Sequence, residues 1–391
     1  MKRLGDIVEQ VRGVSYKPED LHKTLNENSV VLLRAHNIKE GKLNFDDVVY
    51  VDRKKVSEKQ YLTMGDILIC ASSGSKELVG KAAYVEQTLD MTFGAFCKVV
   101  RPKVECKKYI GHFFDSPIYR KKISNASAGA NINNIRTEDI DNLTLALPSI
   151  DKQKEIIARL DKVTDLIALR KQQLTKLDEL VKARFVELFG DTKSNERKWN
   201  TLPLHKVLES GSSVSYGIVQ TGDDIEGGVP VFRPIDIAGG KIPQREQLKR
   251  TANDISNQYS RTLLKGYELL ITVRGSVGET FRVTSEFAGC NVGRNIVPLR
   301  FDTEIVDYSF MQHFFAQEGT KRVLESMTKG IALQGLNMSE FREIDVIIPA
   351  MSLQQQFAAF VEQTDKSKLA IQKSLNELET LKKALMQEYF G

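Results

Sequence analysis

The chain has 391 residues, 41% of them hydrophobic and 27% charged, with a formal net charge of +5. That describes a globular protein with room for two or three domains, mildly basic and so compatible with a polyanionic partner. No apolar run reaches the roughly 18 residues of a membrane span, and the opening MKRLGDIVEQ lacks the apolar stretch of a secretion signal. Cys70, Cys97, Cys106 and Cys290 form no CxxC pair and read as reduced thiols of a cytosol.

Residues 1–147 hold short β runs punctuated by glycine, with a helix predicted near 109–123. In GDILICASSGS (65–75) a buried strand runs into a serine-rich turn. From Pro148 the apolar period lengthens. Residues 148–190 read as one long helix, with Asp151 as its cap and Phe189-Gly190 as its stop. Its apolar seam is Ile156, Leu160, Val163, Ile167, Leu174, Leu177, Val181 and Leu188, interrupted by Arg170 and Arg184. Residues 191–201 are a polar linker.

Residues 202–348 again hold short strands, the segment GYELLITVRGS (266–276) and a helix near 307–325. Residues 349–391 form a second long helix, for which Ser352 and Gln355 suggest a capping box. Its seam is Phe357, Val361, Ile371, Leu375, Leu378, Leu385 and Tyr389, with Thr364, Lys368 and Lys382 as polar members.

The second helix repeats the first without gaps, at the offset that carries Pro148 to Pro349, Gln153 to Gln354 and Phe189-Gly190 to Phe390-Gly391. A period near 200 is too long for a solenoid and means a duplicated domain-sized unit. Polar seam positions of one copy are apolar in the other, which suits pairing of the two helices with each other. About 38 residues make about 57 Å of rod, more than a single domain of this size needs. Ile157, Leu166 and Phe185 lie off the seam and read as outer apolar residues for a partner protein. Before the helices the halves match more weakly: Val14-Ser15-Tyr16 with Val214-Ser215-Tyr216, Arg34 with Arg233, Tyr109 with Tyr308, and 65–75 with 266–276. Gly129, Ile132 and Ile135 fall opposite Gly330, Leu333 and Leu336. The framework agrees while the loops differ, as two readers of different targets would, or as ordinary divergence would leave them.

Catalytic chemistry is not legible. The five histidines are isolated, no HExxH or Cys/His ligand spacing occurs, and there is no GxxxxGK[ST] loop. No catalytic residue, metal ligand or resident cofactor is expected on this chain.

The order of variable region, proline, long helix ending in Phe-Gly, then the same again, resembles the DNA specificity subunits of type I restriction-modification systems. The LP-x-x-x-x-Q stretch at Pro148 and Gln153, its relative at Pro349 and Gln354, and SYGIVQTGDD…GGVPVFRPIDIAGGKI (215–242) carry the likeness. It implies an α+β fold: two tandem mixed α/β target recognition domains separated by two long antiparallel coiled-coil helices, with pseudo-two-fold symmetry. The domains would be 1–147 and 202–348, and the spacer helices 148–190 and 349–391.

It also implies a non-enzymatic, sequence-specific DNA-binding subunit in a prokaryotic cytoplasm, part of a phage defence. The site would be bipartite and asymmetric with a nonspecific gap, on double-stranded DNA. Two methyltransferase subunits would dock on the chain and bring adenine-N6 methylation with S-adenosylmethionine, and two restriction subunits can join. No membrane is involved. The alternatives are a specificity partner of another phage-defence modification complex and a coiled-coil scaffolding protein.

Base reading calls for polar and cationic side chains on loops beside a groove. In the first half the candidates are Tyr16, Lys17, Arg34, Asn37, Ser72, Ser73, Ser75 and Lys76. In the second they are Tyr216, Arg233, Asp236, Arg274, Ser276, Arg294, Asn295 and Gln334. Arg274, on a glycine turn after an apolar strand, is the leading base reader. The shared Arg34 and Arg233 suit framework or phosphate contact. Asp236 suits a turn cap first and a cytosine acceptor second.

Overall fold

Pro148 and Pro349 each lead into a 40-residue helix, Ile150–Phe189 and Met351–Phe390, in a computed structural model that describes residues 1–75, 77–126, 133–240, 243–329 and 335–391. The helices start one residue before the expected caps, so Asp151 and Ser352 sit inside the first turn instead of capping it. The Gln153 N–H donates to the Ser149 carbonyl, and the Gln354 N–H to that of Ala350. The device that fixes each start is the glutamine. Gln153 Nε2 donates to the Pro148 carbonyl at 2.7 Å, and Gln354 Nε2 to the Pro349 carbonyl at 2.9 Å. Both glutamines are buried. This gives the recurrent proline-to-glutamine spacing a physical reason, since the amide occupies a carbonyl that no helical N–H reaches. At the other end Gly190 takes φ +79° and its N–H closes on Val186, so the glycine stops the first helix.

The chain forms two compact units, one of residues 1–172 with 372–391 and one of residues 173–371. Each thus combines a variable region with parts of both long helices.

In unit 1 a four-stranded antiparallel sheet has the spatial order Ala82–Tyr84, Ile67–Cys70, Cys97–Pro102, Val8–Arg12. Ile67–Cys70 is buried throughout because both faces of the sheet are covered. Ile67 and Ile69 face helix Lys107–Asp115 and the long helices, in a core with Tyr109, Phe113, Ile156, Leu160, Met386 and Phe390. Leu68 and Cys70 point the other way, to Leu33, Phe93 and Val99. A second sheet, ordered Met91–Phe93, Ser29–Leu33, Val49–Asp52, Leu21–His22, covers that side, its first pair parallel.

Unit 2 repeats the plan. Thr280–Arg282, Leu269–Thr272 and Ile296–Leu299 form one antiparallel sheet. Lys249–Thr251, Val229–Phe232 and Asn291–Val292 form the other, the last pair parallel. Leu269 and Ile271 face the helix side with Phe185, Phe189, Phe310 and Phe357, and Leu270 faces Phe232 and Val292. The strand matching Val8–Arg12 shrinks to a single bridge, Leu208 to Phe301.

The seam positions are buried or half-buried along both helices. In unit 1 Ile156 and Leu160 share a core with Leu385 and Tyr389, and in unit 2 Val181 shares one with Phe357 and Val361. Within unit 2 Asp178 meets Lys368 at 2.7 Å while the Phe189 ring packs edge-on to Phe357 with centroids 5.6 Å apart, so the two helices run antiparallel there. The polar seam members Lys368 and Lys382 are ion-paired, Lys382 to Asp115 at 2.7 Å.

A second stripe escaped the sequence reading. Phe185 and Phe189 in unit 2, and Met386 and Phe390 at the same repeat positions in unit 1, are core residues. Phe185 is therefore fully buried and no outer residue; Ile157 is partly buried against the unit 1 core and Leu166 half-buried, while Leu169, Leu180, Leu369 and Leu381 are exposed.

Three alignments also change. Helices Lys107–Asp115 and Tyr308–Ala316 place Tyr109 opposite Phe310, not Tyr308. Facing of the buried strands pairs Ile67 with Leu269, one residue off the expected match, because a one-residue slip would turn every side chain to the wrong face. And the bridges Val14 to Gly94 and Ile218 to Gly293 make Gly13-Val14 the counterpart of Gly217-Ile218, so the two Val-Ser-Tyr runs do not correspond. Side chains at Gly13 and Gly217 would collide with the carbonyls of Gly94 and Val292, which explains glycine at both. Gly129, Ile132, Gly330 and Leu333 lie outside the described residues.

Candidate nucleic-acid interface

Five segments of unit 2 are stitched together by backbone hydrogen bonds at one edge of the two sheets. The Arg294 N–H donates to Ile218 at 2.8 Å, the Val273 N–H to Asn295 at 2.9 Å, and the Leu336 N–H to Val273 at 2.9 Å. The Gly293 N–H donates to Phe232 at 2.9 Å, which brings Arg233 to the same edge. Arg274, beyond the buried strand end, bridges Gly335. Its half-buried guanidinium has no hydrogen-bond or ion-pair partner among the described residues. Arg294 is exposed, Asn295 is half-buried with its Oδ1 unpaired, and the Tyr216 hydroxyl donates to the Leu336 carbonyl at 3.3 Å. Ser276 is exposed on the same turn, and its carbonyl accepts from the Thr272 hydroxyl.

Arg233 and Asp236 are closed on each other. Asp236 accepts from the Arg233 backbone at 2.7 Å and from its guanidinium at 2.9 and 3.1 Å. The Asp236 hydrogen bond, against the cost of burial, raises the Arg233 pKa above its ordinary range. Asp236 is thus a turn cap whose oxygens are committed, not a free acceptor for cytosine.

Unit 1 builds the same edge from different side chains. The Val14 N–H donates to Phe93, the Gly94 N–H to Leu33, and the Ala71 and Ser72 N–H groups both to Phe96. Ser72 and Ser73 pair with Asn134 and Asn133. Ser75 is exposed, its N–H bonded to the Ser73 hydroxyl at 3.2 Å. Arg34 repeats the place of Arg233 and meets Asp47 at 3.3 Å. Asn37 repeats that of Asp236 and is 0% exposed. It accepts from the Arg34 N–H at 2.8 Å and donates to the Asn44 and Asp46 carbonyls at 2.9 and 3.0 Å. It holds its own loop and has nothing left to offer a base.

Tyr16 packs half-buried against the Val14, Val30, Leu32 and Val51 cluster. Lys17 is exposed, 3.8 Å from Glu19, outside the stitched segments. Lys76 and Gln334 lie outside the described residues.

The structure adds residues that the sequence reading missed. A groove of about 520 Å³ beside this edge is lined by Arg12, Ser15, Lys98, Asn134 and Arg136 among others. Arg12 holds the position of Tyr216, two places before the bridge residue. Burial, with Arg12 near, lowers the Lys98 pKa, and Lys98 Nζ donates to Gln10 Oε1 at 3.0 Å. Phe96, two residues after Gly94 as Asn295 is after Gly293, is exposed. Two glycine-to-residue spacings could have shown this pairing, had the loops been aligned on Gly94 and Gly293. Among the described residues no group of His, Cys, Asp or Glu is arranged to hold a metal ion.

The family model described as Type I restriction modification DNA specificity domain matches residues 1–179 and 208–380. The chain belongs to this family. It is 28% identical over 389 residues to the Type I restriction enzyme EcoKI specificity subunit of Escherichia coli (strain K12), across 94% of this chain and 82% of that one. It is 28% identical over 398 residues to the StySPI specificity subunit of Salmonella potsdam, across 96% and 84%.

Two solved structures share the fold. One belongs to work on complex assembly and conformational transition of the type I R-M system, with TM-score 0.56 and 17% identity, covering 99% of this chain and 96% of that one. The other is the type I S subunit from M. genitalium, with TM-score 0.54 and 14% identity, covering 100% and 95%. As a type I specificity subunit the chain supplies recognition and no catalysis, and it acts with DNA and with modification and restriction subunits. None of its described helices is long and apolar enough to cross a membrane.

Proposed function

We propose that each unit reads one half of a bipartite, asymmetric DNA site through its stitched loop edge. One observation carries this reading. The edge has the same backbone plan in both units but different chemistry: Arg274, Arg294 and Asn295 in one, Ser72, Ala95 and Phe96 in the other. A scaffold conserved in its bonds and varied in its side chains is what reading two different half-sites requires. Two methyltransferase subunits dock on the chain and supply S-adenosylmethionine and adenine-N6 methylation; two restriction subunits complete a nuclease. The assembly works in a prokaryotic cytoplasm.

Modification-sensitive sequencing of DNA from cells expressing the chain with its methyltransferase tests this. The expected result is one motif with two unlike halves and a fixed gap. Exchange of residues 272–276 should alter one half alone. A continuous motif, or one whose two halves change together, would overturn the proposal.

A further inference from the structure

Phe96 is 69% exposed, and its backbone is held on the edge by hydrogen bonds. Its carbonyl accepts two N–H groups, from Ala71 at 2.9 Å and Ser72 at 3.0 Å. The Cys97 N–H closes the turn on Gly94 at 2.8 Å, and Gly94 is bridged to Val14. The ring is therefore presented on a turn tied to two other segments, with Cys97 beneath it anchored in the core.

Its surroundings are not an apolar patch. The Ser72 N–H is bonded to the Phe96 carbonyl, and the neighbouring groove is lined by Ser15, Thr137, Lys98, Glu138, Arg12 and Arg136, the last two with no ion-pair partner for their guanidinium groups among the described residues. A protein-docking surface calls for contiguous apolar area. A single rigid aromatic ring among small hydroxyls and free cations suits a nucleic-acid groove, where cations take phosphates and one apolar group meets one apolar base feature. In the major groove that feature is the C5-methyl of thymine, the apolar group a base edge offers there.

Resting on the reading of this edge as a DNA reader, we infer that Phe96 is a specificity residue of unit 1 that packs on the C5-methyl of a thymine in its half-site. Unit 2 places Asn295 at the same turn position and reads by hydrogen bonds instead.

The test uses the chain complexed with its methyltransferase subunits and the site found by sequencing. The half that Arg274→Ala leaves unchanged belongs to unit 1. Each thymine of that half is replaced in turn by deoxyuridine, which removes only the methyl group. Wild type should lose about fourfold in affinity at one position, the worth of one buried methyl. Phe96→Ser should bind the thymine and uracil duplexes equally at that position, and Phe96→Leu should keep the preference. Arg12→Ala should weaken both duplexes alike and flatten the salt dependence.

Absence of a uracil penalty throughout that half, or an unchanged penalty in Phe96→Ser, overturns the inference. So does loss of the methyltransferase subunits from Phe96→Ser, which would make Phe96 a partner contact. Wild type that binds cognate and scrambled duplexes equally would instead sink the DNA-reading proposal itself.

Discussion

Arg300 Nε donates to Glu268 Oε1 at 2.9 Å inside unit 2, with the glutamate 0% exposed. The N–H groups of Lys265, Gly266 and Tyr267 complete the carboxylate at 2.7, 3.0 and 3.1 Å. Unit 1 has the same pair as Asp66 and Arg101, at 2.7 Å. The two carboxylates stand just before equivalent buried strands, so the ion pair belongs to the common framework and not to either reading edge.

Removing one partner of such a pair leaves a buried charge uncompensated, at a cost of roughly 3–5 kcal/mol. Glu268→Gln should lower stability by about that amount at pH 7 in thermal or urea denaturation. Burial acts to raise the Glu268 carboxyl, but the backbone N–H groups and Arg300 outweigh it and hold its pKa below the ordinary 4.5. A depressed folded-state pKa means stability that is present above about pH 4.5 and lost as pH falls through the folded value. The variant should show a shallower acid dependence than wild type in that window. Equal stability and equal acid slopes would contradict this account.

The start of the second long helix should be more sensitive than that of the first. Gln354 bonds to the Pro349 and Ile305 carbonyls and to the Asp307 N–H, whereas Gln153 is tied to Pro148. Gln354→Ala should cost roughly 1–3 kcal/mol, and Gln153→Ala less. Hydrogen exchange at the first turn of each helix measures the difference, and the reverse order would refute it.

Arg274→Ala should relax one position of the unit 2 half-site, with roughly 1–3 kcal/mol of discrimination lost if the contact is bidentate to guanine. Sequencing of methylated sites is the readout, since the gap and the other half should stay unchanged. An unaltered motif at every position would show that Arg274 is not a base reader.

All four cysteines are buried free thiols. Burial, with Cys70 adjacent, pushes the Cys97 thiol up to about 12, and raises those of Cys70 and Cys290. At pH 8 iodoacetamide should therefore leave the folded chain unlabelled and modify every cysteine after denaturation. Fast labelling of the native protein would mean that the unit 1 core opens.

The long helices were legible because a three-four apolar period, a proline start and a glycine stop are local signals. The repeat was legible because nothing is inserted within it. The reading edges were less so. Their residues come from five segments joined by backbone bonds, and the strand shift at Leu269 and the insertion ahead of Gly217 displace the halves without any change of composition. Asn37 and Asp236 have the right chemistry for base reading, yet the loop uses it up, and a sequence does not reveal which amide is already spent. Phe96 was missed for the converse reason: an apolar residue next to a strand reads as core until its exposure is known.

Met386 and Phe390 fill the core of unit 1, with Phe390 centred 5.3 Å from Tyr109 and 5.9 Å from Phe113. In order of synthesis these residues emerge after all of unit 2. At roughly 5–20 residues per second, a stretch of about 200 residues takes on the order of 10–40 s on the ribosome. For that time the amino-terminal unit lacks the side chains that complete its aromatic core. A second nascent chain offering its own Phe-Gly end is a competitor for that place in the core, so crowding on one messenger is a route to swapped partners.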